Sequence, residues 1–177
     1  MKTIIYIATS LDGFIARKDG SIDWLNNIEN PTNEDYGYNE FIKKIDAIVI
    51  GRGTYEFVLN FPGWHYQKKV FLLSTTIKSV PDILREKLTL LSMAPKEIIS
   101  YLSKSGYSNI YIDGGKTIQK FLKEDLIDEM IITRIPVLIG SGIPLFGYLD
   151  KDINFKHIET SAYTNGLVKS HYERKRD

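Results

Sequence analysis

Two stretches of the chain place glycine residues directly after a strand-like run and directly before a helical pattern. One reads AIVIGRGTYE from Ala47, and the other reads NIYIDGGKTIQKFL from Asn109. Glycine lets the backbone approach a bulky ligand closely, and the free N–H groups that open a helix attract anionic groups such as phosphate. Both stretches are therefore candidate nucleotide-binding turns, although a strand-to-helix turn also needs glycine for its geometry alone.

The spacing of these glycines excludes two better-known phosphate-binding motifs. A P-loop requires a glycine five residues before Gly115, and that position is Ile110. The dinucleotide motif G-x-G-x-x-G is also absent, because no third glycine follows at the required distance. If either turn binds a nucleotide, it does so within a different fold.

Polar and aromatic side chains elsewhere in the chain could contribute to the same chemistry. Ser74 and Thr75 follow a short apolar run, and their hydroxyl groups suit phosphate or ribose oxygens. Asp12 and Asp35 are candidate proton donors, and Trp24 could stack on a planar substrate. Each of the last three also has a structural explanation. Asp12 precedes a glycine in a turn, Asp35 completes a Thr-x-x-Asp capping pattern, and Trp24 is large enough simply to pack inside the protein.

Composition limits the classes of protein that need to be considered. The 177 residues are 43% hydrophobic and 25% charged, which is ordinary for one soluble globular domain spanning residues 1–177. A net charge of +1 argues against nucleic acid as a partner, and no apolar run reaches membrane-spanning length, so we expect a cytoplasmic protein. There is no cysteine and the three histidines are isolated, so no metal site is expected.

Hydrophobic periodicity predicts the elements that must position these residues. Strands are predicted at residues 3–8, 47–50, 70–73, 88–91 and 110–112. Helices are predicted at about residues 33–45, from about residue 54, at 95–105, and in the second glycine stretch up to about residue 124. The Asn165-Gly166 pair predicts a two-residue hairpin turn between strands at residues 155–164 and 167–172.

This order of elements predicts an α/β fold. Its mostly parallel central sheet is flanked by helices and carries a C-terminal antiparallel hairpin. In such sheets ligands bind beyond the carboxyl ends of the strands. The two glycine turns, the hydroxyls of Ser74 and Thr75, and the loop after Ala8 all follow strand ends. We therefore expect them to meet in one cleft.

Several of these segments resemble known enzyme families. AIVIGRGTYE and IDGGKTIQKFL resemble the two glycine turns of dihydrofolate reductases. The opening SLDGFIA, the region of Trp24, and above all DGGKTIQKFLKEDLIDEMIITRIPVLIGSGIPLF resemble the reductase domain of the riboflavin-biosynthesis protein, the RibD C-terminal domain. The resemblance spans nearly the whole chain. It implies a dihydrofolate reductase-like fold and hydride transfer from NADPH to a flat nitrogen heterocycle or its ribosyl derivative.

The resemblance also implies particular cofactor contacts. A guanidinium group binds a terminal phosphate in a two-pronged geometry, so the arginine in the first turn favours NADPH over NADH. The residues that the resemblance assigns to the cofactor are Ala8 and Ile15 at the nicotinamide, Gly51, Arg52, Gly53 and Thr54 at the phosphates, Ser74 and Thr75 with Arg52 near the 2′-phosphate, and Gly114, Gly115, Lys116 and Thr117 at the pyrophosphate.

For the substrate, the resemblance points to Asp12, Asp35 and Trp24. Asp12 matches the aspartate of the riboflavin reductase SLDG motif, and Asp35 lies at the spacing of the substrate-binding acid of dihydrofolate reductases. The specific expectation is reduction of 5-amino-6-(5-phosphoribosylamino)uracil, with a pteridine such as dihydrofolate as the alternative and a non-catalytic NADPH-binding protein as a third possibility. A homodimer is also expected, because the β-rich C-terminal third would otherwise expose long edge strands.

Overall fold

The computed structural model describes residues 1–176, and its central feature is an eight-stranded sheet. The strands are β1 (Lys2–Thr9), β2 (Phe14–Ala16), β3 (Ala47–Gly51), β4 (Lys69–Leu73), β5 (Leu88–Leu91), β6 (Asn109–Asp113), β7 (Glu129–Arg134), β8 (Ile143–Pro144), β9 (Phe155–Ala162) and β10 (Val168–Arg174). The α-helices are α1 (Asp23–Asn26), α2 (Tyr38–Lys44), α3 (Arg52–Val58), α4 (Pro95–Lys104) and α5 (Gly115–Lys123).

The strands are arranged in the order β5-β4-β3-β6-β1-β7-β10-β9. The first six of these run parallel to one another, whereas β10 and β9 pair antiparallel at one edge. This confirms the predicted α/β fold with a mostly parallel sheet and a C-terminal hairpin. Because β1, β3, β4, β6 and β7 are parallel, the loops that follow them leave the same edge of the sheet.

Helices bury the sheet on both sides. On one side Ile98 of α4 and Phe121 of α5 pack with Ile5 of β1. On the other side Phe41 of α2 packs in a cluster with Ile4 of β1. Successive side chains of a strand point to opposite faces, so a strand covered on both faces needs apolar residues at every position. This requirement explains the continuous apolar runs in the sequence.

A short ribbon of β2 and β8 lies beside the carboxyl end of the sheet. The loop that leads into it is bonded to the segment after β7. The Leu11 amide donates to the Val137 carbonyl at 2.8 Å, and the Leu145 amide donates to the Gly13 carbonyl at 3.0 Å. The long loop after β1 is therefore fixed to a second segment of the chain.

The helix predicted before β3 is shorter than expected, because α2 begins only after Gly37. Asn33 and Tyr36 have left-handed φ angles of 50° and 54°, which prevent a right-handed helix from starting earlier. The predicted capping box is wrong. The Asp35 carboxylate instead accepts hydrogen bonds from the amides of Gly37 and Asn39, at 2.9 and 2.8 Å.

Two other boundaries differ from the prediction. The first glycine turn is tighter than expected, since α3 starts at Arg52 and not near residue 54. The C-terminal hairpin closes on three residues, because the Tyr163 amide donates to the Leu167 carbonyl and the Gly166 amide donates back to the Tyr163 carbonyl, each at 2.9 Å. Gly166 has a φ of 86°, the left-handed position that completes a three-residue turn.

Candidate functional site

The two glycine turns, residues 51–54 and 114–117, contact each other across the carboxyl edge of the sheet. A Cβ atom added at Gly51 would lie 2.5 Å from Oγ1 of Thr117, and one added at Gly114 would lie even closer to Oγ1 of Thr54. Each turn is therefore filled by a threonine from the helix that follows the other turn. Since β3 and β6 are neighbours in the sheet, the two turns form one continuous backbone surface.

The β2–β8 ribbon packs against the start of the second turn. A Cβ atom at Gly115 would lie 2.8 Å from Cδ1 of Ile15 and 3.1 Å from Cγ2 of Ile143. Ile15 therefore contacts the second glycine turn, and the resemblance assigns both Ile15 and this turn to the cofactor. Gly53 has no atom within 4 Å of an added Cβ, and Lys116 is exposed.

Arg52 extends from the first turn toward the loop after β4. Its Nη1 donates to Oγ1 of Thr76 at 3.3 Å, and Oγ of Ser74 accepts hydrogen bonds from the amides of Thr76 and Ile77. The guanidinium group is more than half exposed and lies 3.6 Å from the carboxylate of Glu56. The fold thus places the cation of Arg52 next to the hydroxyl groups of Ser74 and the exposed Thr75, at a surface that faces solvent.

A cavity of about 160 Å³ opens over the ends of β1 and β7, on the face of the sheet that α2 covers. It is mainly apolar. Ala8, expected beside a nicotinamide, and Asp35, expected to bind substrate, both line it. The lining residues are Tyr6, Ala8, Leu25, Ile28, Asn30, Asp35, Tyr36, Thr133, Ile135 and Leu167. Among these described residues there is no lysine or arginine.

The carboxylates of Asp12 and Asp35 are both held in their ionised form. Two backbone amides, of which Gly37 has the larger effect, lower the pKa of Asp35 below its ordinary value. Asp12 accepts a hydrogen bond from the Ser10 hydroxyl at 2.6 Å and from the Gly140 amide at 2.8 Å, and the Ser10 bond contributes most to lowering its pKa. Asp12 does not line the cavity. The geometry does not favour either residue as a proton donor, and their catalytic roles stay predictions.

Trp24 lies in α1 and is only 5% exposed. It belongs to a small buried cluster with Ile135 and Leu167, two residues that line the cavity. Its Nε1 finds no hydrogen-bond partner among the described residues. Protein side chains cover the indole ring, so the geometry favours a packing role, and stacking of this ring on a substrate stays a prediction.

The sequence analysis assigned no role to Asp113, which ends β6 directly before the second glycine turn. Burial raises the pKa of its carboxyl group, and a hydrogen bond from Tyr66 opposes that rise only in part. Tyr66 donates to Asp113 Oδ2 at 2.8 Å. Tyr111 donates its proton to the carbonyl of Tyr6 at 2.9 Å, and the Tyr6 side chain lines the cavity. The sequence feature that could have indicated Asp113 is its position as an acid at the carboxyl end of a buried strand.

Comparison with known proteins identifies the family. The family model of the RibD C-terminal domain matches residues 1–169. This chain belongs to the RibD C-terminal domain family. It is 41% identical over 176 residues to the uncharacterized protein YwjB of Bacillus subtilis, covering 98% of each chain. It is 28% identical to a second uncharacterized protein of that organism, YyaP, covering 97% of this chain and 94% of the other.

Solved structures agree with this assignment to the RibD C-terminal domain family. A Shewanella sp. PV-4 protein named for riboflavin biosynthesis is 46% identical with a TM-score of 0.95, over 99% of this chain and 100% of the other. Two more distant neighbours support the fold alone. A Thermotoga maritima deaminase and 5-amino-6-(5-phosphoribosylamino)uracil reductase is 16% identical with a TM-score of 0.72, over 98% of this chain and 56% of the other. Enterococcus faecalis dihydrofolate reductase, solved with NADP(H), is 16% identical with a TM-score of 0.65, over 99% of this chain and 97% of the other.

None of the helices in residues 1–176 has the length and apolar character needed to cross a membrane. Within the same residues, no group of three or more histidine, cysteine or acidic side chains is arranged to hold a metal ion.

The contact between the glycine turns predicts a steep cost for adding a single methyl group. Gly114 has a φ of 92°, so Gly114→Ala is both strained and obstructed by Thr54, and we expect a loss of about 2–4 kcal/mol in unfolding free energy. Gly53→Ala is the matched control, because its Cβ meets open space within α3 and helix propensity favours alanine there by up to about 1 kcal/mol. Urea denaturation of both variants measures the difference. Equal stabilities would contradict the contact.

The environment of Asp113 predicts a pH-dependent stability. Because its folded pKa is raised, the wild type loses stability as pH rises from the unfolded pKa through the folded one. Asp113→Asn does not titrate, so its stability relative to wild type should improve over that range. Asp35→Asn is the control with the opposite sign, since the lowered pKa of Asp35 stabilises the wild type at neutral pH and that advantage disappears as pH falls. Denaturation from about pH 2 to about pH 8 covers both titrations, and parallel profiles would refute the assignment.

Proposed function

We propose that this protein is an NADPH-dependent reductase of a pyrimidine or pteridine-type heterocycle. The proposal rests on one observation. The two glycine turns contact each other, and Arg52 lies beside them. They follow strands at the same edge of the sheet as the cavity that Ala8 and Asp35 line. Membership of the RibD C-terminal domain family supports the reductase assignment. Cytoplasmic localisation belongs to the same proposal.

The cofactor is proposed to lie along the glycine turns. Backbone amides at Gly51–Thr54 and Gly114–Thr117 are proposed to hold its phosphates, because the N–H groups that open a helix attract anions and the space beside Gly53 is open. Arg52, with Ser74 and Thr75 beside it, binds the 2′-phosphate and so selects NADPH over NADH. Ala8 and Ile15 flank the nicotinamide, which supplies the hydride when bound.

The substrate is proposed to place its heterocycle in the cavity. A volume of about 160 Å³ suits a planar group of one or two rings, and the ionised Asp35 accepts hydrogen bonds from ring or amino N–H groups. The first candidate is 5-amino-6-(5-phosphoribosylamino)uracil, because one structural neighbour is named as its reductase. The absence of lysine and arginine from the described lining favours an unphosphorylated pteridine such as dihydrofolate as the second candidate.

Reduction of a C=N or imine bond needs a proton as well as a hydride. Of the three acids considered, Asp113 holds its proton to the highest pH, since burial raises its pKa while hydrogen bonds lower those of Asp12 and Asp35. We therefore propose Asp113 as the group that holds the proton. It does not line the cavity, so its proton is proposed to pass to a water molecule, which in turn protonates the substrate. Asp35 orients the substrate.

Cofactor selection is tested by thermal shift and direct titration with NADPH and NADH in parallel. Arg52→Ala should weaken NADPH binding about 10- to 100-fold and leave NADH binding nearly unchanged, because a hydrogen-bonded charge pair contributes about 1.5–3 kcal/mol. Arg85→Ala is the matched control, since Arg85 is exposed and pairs with Asp82 away from the glycine turns. No stabilisation by either nucleotide would contradict the whole proposal.

Turnover is tested by following NADPH oxidation with each candidate substrate. Oxidation that depends on one of them, and that falls in Asp113→Asn with little change in NADPH affinity, is the expected result. Tight NADPH binding without NADPH oxidation in the presence of either candidate substrate would instead identify a non-catalytic NADPH-binding protein.

A homodimer is also proposed, through the outer edge of β9. This strand ends the sheet and most of its residues are exposed, including Ile158 at 39%, so its free backbone groups are open to pairing with a second copy. Light scattering at micromolar concentration should give twice the mass of one chain, and Ile158→Lys should reduce it. A monomeric mass for the wild type would contradict this.

A further inference from the structure

One wall of the cavity has no regular secondary structure. The segment of residues 27–37, here called the strap, contains no helix or strand, yet it supplies Ile28, Asn30, Asp35 and Tyr36 to the lining. The opposite wall includes Tyr6, Ala8 and Thr133, which the sheet holds in place, and Ile135 and Leu167, which lie next to strand ends. Irregular segments of this kind open locally with low free energy unless other groups hold them. The shape of the cavity therefore depends on what fixes the strap.

Tyr36 is the point at which the strap is most constrained. Its φ of 54° is unfavourable for a bulky side chain, and such a conformation persists only where neighbouring groups enforce it. Two groups bond to its carbonyl oxygen. Tyr6 Oη donates to it at 2.9 Å, and Lys169 Nζ donates to it at 2.6 Å. The Lys169 bond carries a full charge and is accordingly the stronger of the two.

The turn of the β9–β10 hairpin holds the strap at two further atoms. Asn165 Nδ2 donates to the carbonyl of Glu29 at 3.0 Å and to the hydroxyl oxygen of Tyr36 at 2.7 Å. The rings of Tyr36 and Tyr163 also meet edge to face, with centroids 4.9 Å apart. One side-chain amide thus connects the beginning and the end of the strap to a hairpin more than a hundred residues further along the chain.

We propose that Lys169 and Asn165 are positioning residues, which act through the strap to set the shape of the substrate cavity. They do not line it themselves. Lys169 holds the strained Tyr36 carbonyl, and Asn165 closes the strap by joining Glu29 to Tyr36. The inference rests on the proposed function in one respect, because it takes the cavity as the substrate site. Among the described residues, no hydrogen bond joins the strap to the glycine turns.

The test compares four variants of the full chain by amide hydrogen exchange of residues 28–36. Lys169→Met removes the charge and the donor but keeps the length of the side chain, and Asn165→Ala removes the two bonds to the strap. Both should speed exchange in the strap about tenfold, which is about 1.4 kcal/mol of local opening free energy. Lys169→Arg restores a charged donor and should restore slow exchange. Lys156→Met, an exposed lysine of β9, is the matched control and should exchange like wild type.

A second measurement connects the strap to ligand binding. Dihydrofolate serves as the probe for the cavity, followed by fluorescence of Trp24 in a Trp64→Phe background. Lys169→Met should weaken its binding about tenfold while the thermal shift with NADPH stays as in wild type, a separation that general destabilisation would not produce. Wild-type exchange rates in Lys169→Met would overturn the inference. If dihydrofolate does not bind the wild type, the pteridine candidate fails, and the exchange result alone decides the role of the strap.

Discussion

The candidate site depends on the mutual contact of the two glycine turns. Thr117 occupies the space that a side chain at Gly51 would need, and Thr54 occupies the corresponding space at Gly114. Such a contact is possible only because β3 and β6 are adjacent parallel strands whose carboxyl ends are level. The order of strands in the sheet therefore determines where a phosphate-binding surface can form, and the loops after β1, β4 and β7 are arranged around the same edge.

Three aspartates at this edge show how local contacts separate chemically identical groups. Asp12 and Asp35 accept hydrogen bonds from amides or a hydroxyl, which favour the charged form. Asp113 is buried beside tyrosines, and loss of water favours its neutral form. The resemblance to known reductases suggested Asp12 and Asp35 as acids. Their surroundings make them better hydrogen-bond acceptors, while Asp113 is better suited to hold a proton.

Sequence reasoning succeeded where local pattern determines structure. The apolar runs that became β1, β3, β4 and β6, and the glycines that follow β3 and β6, depend on neighbours in the sequence and on burial. It failed where a distant group decides. The start of α2 depends on the left-handed Tyr36, which Lys169 holds from more than a hundred residues away. The bonds of Asp12 to the amides of Ile139 and Gly140 are equally non-local, so no pattern around Asp12 predicts them.

The proposed cofactor surface and the proposed substrate cavity are thus built from different kinds of structure. The glycine turns are formed by strand ends and helix starts, and their geometry tolerates no added side chain at Gly114. The cavity has one wall on and next to strands β1, β7 and β10. The other wall is the strap, which side chains of the β9–β10 hairpin hold by hydrogen bonds. Substitutions in the strap or hairpin can therefore change the shape of the cavity without disturbing the glycine turns.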